Sequence, residues 1–166
     1  MPVPLVPIAE LNRLDLADFA GAMARVFEPN PLLLEGLARG RPYRSYADLL
    51  AAARARVGAM SEPELVGLLA SHPRIGAPDT TLSVASRREQ RAPAVTDAGV
   101  EAELARLQDE YERRNGFRFV VFVNDRARAA ILEVLRERAG EQRDVELARS
   151  IEEYLAICAS RLGVRG

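Results

Sequence analysis

The sequence predicts an all-α fold, a single compact multi-helix domain over residues 1–166. Three observations support this prediction. Most apolar residues recur at the helical spacing i, i+3, i+4 and i+7. Only the segment 117–123 has the composition of a strand, and a single strand has no partner for its backbone hydrogen bonds. The length suits one domain that buries about 70% of its unfolded surface, and no linker, repeat or low-complexity stretch divides it.

The N-terminal half predicts three helices in order. The residues that share one face of the first helix are Leu16, Phe19, Met23, Val26 and Phe27. The sequence Glu-Pro-Asn-Pro at 28–31 stops this helix. Two capping-box sequences, each a serine with an acidic residue three positions later, then open helices over about 45–57 and 61–70.

The middle of the chain begins with a loop. Two prolines and a glycine make regular structure unfavourable over 71–78. A short helix is expected at Ser83–Gln90. The residues that trace the next, longer helix are Val100, Leu104, Leu107 and Tyr111, and Asn115-Gly116 ends it.

The C-terminal part predicts a connector and two helices. Because the apolar segment 117–123 lacks a partner strand, we interpret it as an extended connector. Asn124 or Asp125 is expected to cap a helix that ends near Gly140. The last helix is predicted from about Asp144 to Leu162.

The composition excludes several kinds of chemistry. All 23 basic residues are Arg, and the chain has one His, one Cys and no Trp. Without Lys there is no Schiff base, pyridoxal-phosphate anchor or P-loop lysine. One His and one Cys exclude a His triad, a zinc finger and a CxxC redox pair. An enzyme that uses imidazole here has one candidate, His72.

Charge and hydropathy argue against two classes of partner, nucleic acids and membranes. The formal charge is −1 and acidic residues are interspersed with the Arg residues, so no nucleic-acid binding is expected. The N-terminus does not resemble a signal peptide, and no run approaches the ~20 apolar residues of a membrane span. The lone Cys158 fits a reducing compartment, and we expect a cytoplasmic protein.

His72 has two interpretations. It lies directly after a predicted helix and before a proline, where it can cap the last helical carbonyls. It can also be a general acid/base, because only imidazole titrates near neutrality unperturbed. Position alone favours the capping role.

Two further groups of polar residues also leave alternatives open. Ser86, Glu89 and Gln90 share one side of a helix, as a polar cluster or as a solvated face. Arg161 borders the apolar stripe of the last helix, where it either meets an anion or carbonyl inside or extends its charged end to solvent. Backbone N–H groups near 115–119 can serve a carbonyl-rich ligand, although the pattern alone favours core filling by Phe117 and Phe119.

Three segments together resemble the OHCU decarboxylase family, named for 2-oxo-4-hydroxy-4-carboxy-5-ureidoimidazoline decarboxylase of the ureide pathway of urate breakdown. They are Ser71–Gly76, Ser86–Gln90 and Tyr111–Val121, and their order and spacing make the resemblance specific. Shorter matches extend it over nearly the whole chain: Leu11-Asn12, Phe19, Phe27-Glu28, Pro31, Arg41–Tyr43, Glu146-Leu147, Ile157 and Arg161-Leu162.

The resemblance implies an all-helical homodimer with no metal or organic cofactor and a small-molecule ureide substrate. It implies that His72 is catalytic, with Glu89 beside it. The substrate-binding residues that it implies are Pro73, Ser86, Gln90, Arg161 and the backbone N–H groups of Phe119, Val120 and Val121. Three positions depart from the common pattern: Arg91, where a small residue is usual, Asn115, where Phe is frequent, and Arg118, where Pro or Lys is common.

The implied reaction agrees with the composition. The carbon that bears the carboxylate also bears a hydroxyl and adjoins a C=N bond, so the substrate carries its own electron sink. Neither Lys nor a metal is needed, and the protein has to manage protons and place charges. Two alternatives remain: a decarboxylase of another ureide or β-imino acid on the same fold, and a non-catalytic helical interaction domain.

Overall fold

A computed structural model of the chain describes residues 2–77, 84–90 and 97–165, and within these ranges it contains nine helices and no strand. The helices are α1 (Ile8–Leu11), α2 (Leu16–Phe27), α3 (Pro31–Arg39), α4 (Tyr46–Gly58), α5 (Glu62–Ser71), α6 (Val84–Glu89), α7 (Ala98–Asn115), α8 (Arg128–Arg138) and α9 (Arg143–Leu162). The all-α prediction is confirmed. None of these helices combines the length and the apolar composition that crossing a membrane requires.

The core is organised around α9, the longest helix. It packs against α2, α4 and α5, while α7 pairs with α8. The buried apolar side chains of α9 include Leu155, Ile157, Cys158 and Leu162. Large aliphatic side chains from the other helices complete the core, as the low aromatic content requires.

The predicted helix starts agree with the structure because they depend on local hydrogen bonds. Ser45 Oγ accepts from the backbone N–H of Asp48 at 3.1 Å and caps α4. Glu64 accepts from the backbone N–H of Ser61 at 2.7 Å at the start of α5. Asp48, by contrast, accepts from the backbone N–H of Arg44 and not from that of its own cap residue.

The segment 28–31 ends one helix and also begins the next. Asn30 Oδ1 accepts from the backbone N–H of Leu33 at 3.0 Å, and Pro31 occupies the first position of α3. Asn as N-cap followed by Pro is a favourable helix start. The sequence predicts only a helix stop at this segment, and neither α3 nor the single turn of α1 was predicted.

The expected cap of α8 is wrong. Asn124 and Asp125 have positive φ values of 46° and 59°, and α8 begins only at Arg128 with Ala127 as its N-cap residue. The two polar residues form a turn, which their side chains tolerate at positive φ. Short polar residues favour both turns and caps, and the sequence does not distinguish the two here.

The segment 117–123 is a connector without strand pairing in the described residues, as predicted. Its backbone is bound by side chains instead. Arg138 Nη1 donates to the carbonyl of Val120 at 2.8 Å, and its guanidinium lies 4.7 Å from the centre of the Phe119 ring. Glu153 accepts from the backbone N–H of Phe122 at 2.6 Å.

Arg138 belongs to a fully buried polar network. Its Nε donates to Glu146 at 2.8 Å and its Nη2 donates to Ser150 Oγ at 2.9 Å. Tyr111 Oη donates to Glu146 at 2.6 Å, and burial together with this carboxylate raises the pKa of Tyr111 to about 12. The network therefore joins α7, α8 and α9 to the connector.

The Arg138–Glu146 pair predicts a large effect of removing one partner. Arg138→Leu removes the buried cation of Glu146 and leaves its carboxylate only the cation of Arg149, a half-exposed side chain whose Nη1 is 3.2 Å away. The free energy of unfolding should therefore fall by about 3 kcal/mol. Urea titration at neutral pH measures it. The matched control on the same helix is Arg136→Leu, whose ion pair with Glu133 is exposed and should be worth under ~1 kcal/mol. Equal losses in the two variants would contradict the assignment.

Candidate active site

The centre of the site begins where α2 ends. Pro29 disfavours helical backbone at Glu28, which adopts a φ of 59° and a ψ of 170°. A non-glycine residue at such a φ carries strain that the surrounding structure must hold in place. The last carbonyls of α2 are satisfied by α9: Val26 accepts from Arg161 and Phe27 accepts from Tyr154 Oη.

Arg161 is fully buried and uses all five of its N–H donors. Nε and Nη2 form a two-bond pair with the carboxylate of Glu89, at 2.6 and 2.8 Å. Nη1 donates to Glu28 at 2.7 Å and to the carbonyl of Val26 at 3.0 Å, and Nη2 donates to Ser86 Oγ at 3.1 Å. Of the two interpretations of Arg161, the structure agrees with the one in which the side chain points inward and meets anions and a carbonyl. Every donor is already occupied within the protein.

His72 follows α5 and is 4% exposed. Its backbone N–H, and not its imidazole, donates to the carbonyl of Leu69 at the end of the helix. The imidazole Nδ1 lies 3.5 Å from Glu28 Oε1 and has no closer hydrogen-bond partner among the described residues. The same oxygen already accepts from Arg161 and Ser86, which accounts for the longer distance to His72.

Glu28 is thus a buried carboxylate shared by three groups. Burial raises the pKa of its carboxyl, but His72 and Arg161 outweigh burial, and the net pKa is lower than the ordinary value of 4.5. Glu28 is therefore ionised at neutral pH. It holds a negative charge beside the only imidazole of the chain.

The acidic partner of His72 differs from the sequence expectation. Glu89 was expected beside the imidazole, but both of its carboxylate oxygens bind Arg161. The carboxylate that lies against His72 is Glu28. The geometry explains this difference, because Arg161 offers Glu89 two parallel donors, and a two-bond guanidinium–carboxylate pair is a strong arrangement.

The loop that carries His72 is fixed from three directions. Gln108 of α7 accepts from the backbone N–H of Ile75 at 3.1 Å and donates to its carbonyl at 3.0 Å. Gln90 accepts from the N–H of Gly76 at 3.0 Å and donates to the carbonyl of Arg74 at 3.1 Å. Gly76 has a φ of 78°, which suits glycine. The expected ligand Gln90 therefore supports the loop in this structure.

Arg118 provides the third support. Its Nη1 donates to the carbonyls of Ala70 and His72, at 2.9 and 2.7 Å. Arg118, one of the three positions that depart from the pattern of the resemblance, thus joins the connector 117–123 to the His72 loop. The departure at Asn115 is buried, and its Nδ2 donates to the carbonyl of Tyr111. The third departure, Arg91, lies outside the described residues.

A pocket of about 620 Å³ lies against this loop. That volume lies within the roughly 300–1,000 Å³ range of small-molecule sites. Its described lining residues include Glu28, Ser71, Pro73, Arg74, Gln108 and Arg118. Of the expected ligands, Pro73 borders the pocket and Ser86 is buried in the Arg161 cluster. The side chains of Phe119, Val120 and Val121 are buried in the core, and the expected role of their backbone N–H groups stays a prediction.

Two other buried groups contact the cluster without offering reactive chemistry. Burial raises the pKa of the Cys158 thiol to about 12, so it is protonated and serves as a small core residue. Burial also raises the pKa of Tyr154, whose hydroxyl donates to Phe27. Within the described ranges no three His, Cys, Asp or Glu side chains converge to hold a metal ion.

Glu28 belongs to the site in the structure but is not among the predicted site residues. The sequence predicts it only as part of a helix stop and as one match of the resemblance. The available signal was electrostatic: a carboxylate at the C-terminus of a helix opposes the helix dipole and needs a compensating cation. Arg161 supplies that cation from 133 positions away along the chain.

A helical domain with a buried carboxylate–imidazole–guanidinium cluster beside a pocket defines a candidate enzyme for a small polar substrate. Comparison with known proteins agrees. A sequence model of the family described as OHCU decarboxylase matches residues 12–163. The chain therefore belongs to the OHCU decarboxylase family, as the sequence segments indicated.

Two relatives are similar over nearly their full length. The 2-oxo-4-hydroxy-4-carboxy-5-ureidoimidazoline decarboxylase of Haloferax volcanii is 30% identical over 161 residues, which cover 95% of each chain. The enzyme of the same name from Amia calva is 30% identical over 158 residues, which cover 92% of this chain and 90% of the relative.

Two crystal structures share the fold. One, of (S)-allantoin synthase, has a TM-score of 0.72 at 20% identity, and the match covers 95% of this chain and 53% of that chain. The other, of OHCU decarboxylase in the presence of (S)-allantoin, has a TM-score of 0.66 at 23% identity, with 79% and 87% covered. At these identities the two structures support the fold alone.

The low pKa of Glu28 predicts how stability depends on pH. A carboxyl whose pKa is lower in the folded state stabilises the protein above 4.5, and this contribution is lost as pH falls through the folded value. Glu28→Gln should therefore lower the free energy of unfolding by about 3 kcal/mol at pH 7. The difference from the unmodified protein should shrink below pH 4.5 in urea titrations. A difference that is constant down to pH 3 would contradict the assignment.

Proposed function

We propose that this chain decarboxylates 2-oxo-4-hydroxy-4-carboxy-5-ureidoimidazoline to (S)-allantoin, with His72 as the acid/base residue. The observation that carries the proposal is the buried His72–Glu28–Arg161 cluster beside a pocket, in a chain of this family. The proposed substrate is the one that appears in the names of the relatives. The cluster provides side chains that can transfer the protons of that substrate.

The chemistry requires one bond to break and one net proton to be taken up. The bond between the ring carbon and the carboxylate breaks and CO₂ leaves. The electron pair of that bond forms a C=C bond to the neighbouring carbon, and the π pair of the C=N bond moves onto nitrogen. The hydroxyl then gives up its proton as it becomes a carbonyl, while the former C=N bond gains two. The substrate anion thus needs one net proton and no external electron sink, so the residues present suffice without a cofactor.

His72 is the proposed carrier of these protons. Its Nδ1 faces Glu28, so Nε2 is the nitrogen left for a substrate. A carboxylate on the far nitrogen orients an imidazole and balances the charge that appears when it accepts a proton. Glu28 is therefore a positioning residue, while His72 is the catalytic one.

The other expected site residues keep proposed roles that fit their contacts. We propose that Glu89 acts through Arg161 and fixes the guanidinium that holds Glu28. Ser86 links Arg161 to Glu28, because its Oγ accepts from Arg161 and donates to Glu28. Pro73 borders the pocket, and Gln90 and the backbone of 119–121 remain proposed contacts for ring or ureido oxygens.

The cluster also separates this proposal from an interaction domain. A domain that only binds a partner predicts an exposed apolar groove and no polar cluster around the imidazole. The observed cluster buries a cation, the carboxylate of Glu28 and a hydroxyl, with the carboxylate of Glu89 12% exposed at its edge. Burying charges costs free energy unless they are paired. Such a cluster is typical of a site that needs fixed charges.

The oligomeric state and the cellular location are two broader expectations that remain proposals. We propose that the chain is a homodimer, which light scattering in solution measures directly. We also propose that it resides in the cytoplasm, and the support is its one free, buried thiol, Cys158, since unpaired thiols suit a reducing compartment.

Removing the imidazole tests the proposed activity. His72→Ala should lower kcat by at least ~10²-fold, because acid/base catalysis contributes about that much. His72→Asn keeps a polar side chain that cannot titrate and should be equally impaired. The assay adds protein to freshly generated substrate and follows the optical rotation of allantoin. Near-normal turnover in either variant would exclude His72, and a rate equal to the spontaneous background in the unmodified protein would exclude the activity.

The two glutamates predict different kinetic signatures. Glu28→Gln removes the charge beside Nδ1 and should lower kcat at least ~10²-fold while changing the shape of the pH–rate profile. Glu89→Gln weakens only the support of Arg161, so its profile should keep its shape at a lower rate. Rates measured from pH 5 to 9 compare the two. An altered profile in the Glu89 variant alone would assign the imidazole partner to Glu89.

A further inference from the structure

Arg118 uses only part of its hydrogen-bonding capacity. Both hydrogens of Nη1 are taken by the carbonyls of Ala70 and His72, at 2.9 and 2.7 Å. Nε is buried without a hydrogen-bond partner in the described part of the chain, and the nearest carboxylate oxygen, Glu112 Oε1, is 3.8 Å away. Nη2 likewise makes no hydrogen bond to the residues in ranges 2–77, 84–90 and 97–165. Three of the five N–H donors are therefore unused.

Nε is buried, so Nη2 is the nitrogen of Arg118 that remains for a ligand in the pocket. The Arg118 side chain is 28% exposed and lines the 620 Å³ pocket together with Pro73 and Glu28. Its bond to the His72 carbonyl fixes the guanidinium beside the catalytic loop. A cation that is fixed in place, borders a pocket and has donors to spare is suited to an anionic ligand.

The other two arginines near the loop are closely paired with carboxylates. Arg161 has five donors and five bonds inside the protein. Arg74 lines the pocket, but its Nη2 pairs with Asp109 at 2.7 Å and its Nε is 3.5 Å from Glu112. A ligand anion at Arg161 would have to displace a carboxylate, and at Arg74 it would be repelled by Asp109, which lies 2.7 Å from that guanidinium. At Arg118 the nearest carboxylate is 3.8 Å away, and the anion would fill open donor positions.

We propose that Arg118 binds the carboxylate of the substrate, and the identity of that ligand rests on the function proposed above. The chemical class is a ureide carboxylate, whose planar anion matches the planar donors of a guanidinium.

The reaction makes this contact specific for substrate over product. The carboxylate loses its charge as CO₂ leaves, and allantoin is uncharged. The contact therefore stabilises the bound substrate more than the transition state, so it should lower KM without raising kcat. It also disappears when the product forms, which favours release.

Two stable ureides separate the ligand contact from support of the loop. Allantoate carries the ureido groups and a carboxylate, whereas allantoin has no carboxylate. In calorimetric titrations, Arg118→Gln should weaken allantoate binding at least ~10-fold and leave allantoin binding unchanged. Arg118→Lys keeps the charge and should recover part of the allantoate affinity. The matched control is Arg113→Gln, an exposed arginine bound to its own helix at Asp109, which should change neither affinity.

The outcomes are distinct. Equal weakening of both ligands, or of neither, would overturn the proposal, as would an unmodified protein that does not bind allantoate. In the decarboxylation assay Arg118→Gln should raise KM at least ~10-fold and change kcat less than KM, and a lower kcat at unchanged KM would reduce Arg118 to a support of the loop. An unmodified protein that binds allantoate through Arg118 but lacks decarboxylase activity would refute the proposed function and keep the anion site.

Discussion

The site depends on one buried cation. Arg161 sits at the C-terminal end of α9 with no solvent contact, and burying an unpaired guanidinium would cost several kcal/mol. Its charge is compensated by Glu28 and Glu89, which come from the end of α2 and from α6. These two carboxylates are therefore held at fixed positions, and the strained backbone of Glu28 is held with them. Three helices that are distant in sequence converge on this one side chain.

The same constraint decides what His72 meets. Glu28 cannot turn away from the imidazole without leaving Arg161 short of a partner, so its oxygen stays 3.5 Å from Nδ1. The loop is equally constrained on its other side, where Gln108 and Gln90 bind its backbone. An acid/base group works best when its geometry is fixed before the substrate arrives, because no reorganisation is then needed during the reaction.

Local hydrogen bonds account for the features that the sequence predicted. The features that it did not predict depend on an ambiguous local signal or on a tertiary contact. The starts of α4 and α5 depend on hydrogen bonds within four residues, and the serine–acid pairs identify both. Asn124 failed as a cap because a turn residue and a cap residue have the same chemistry. Arg161 and Ser86 entered the predicted site through the resemblance. The pairing of Glu28 with His72 is a tertiary contact, and no spacing rule within a helix or loop reaches it.

An arginine whose donors are all bonded within the protein stabilises the fold, but it can bind a ligand only by losing one of those bonds. Each charged hydrogen bond is worth about 1.5–3 kcal/mol, so a substrate oxygen that replaced Glu28 or Glu89 on Arg161 would first have to recover that loss. A pocket for an anion therefore gains more from a guanidinium whose donors are still open. Arg118 is in that condition on the pocket wall, bound through one nitrogen only. The fold thus divides the work between two arginines: the buried one fixes the charges that serve His72, and the bordering one is free to meet the ligand.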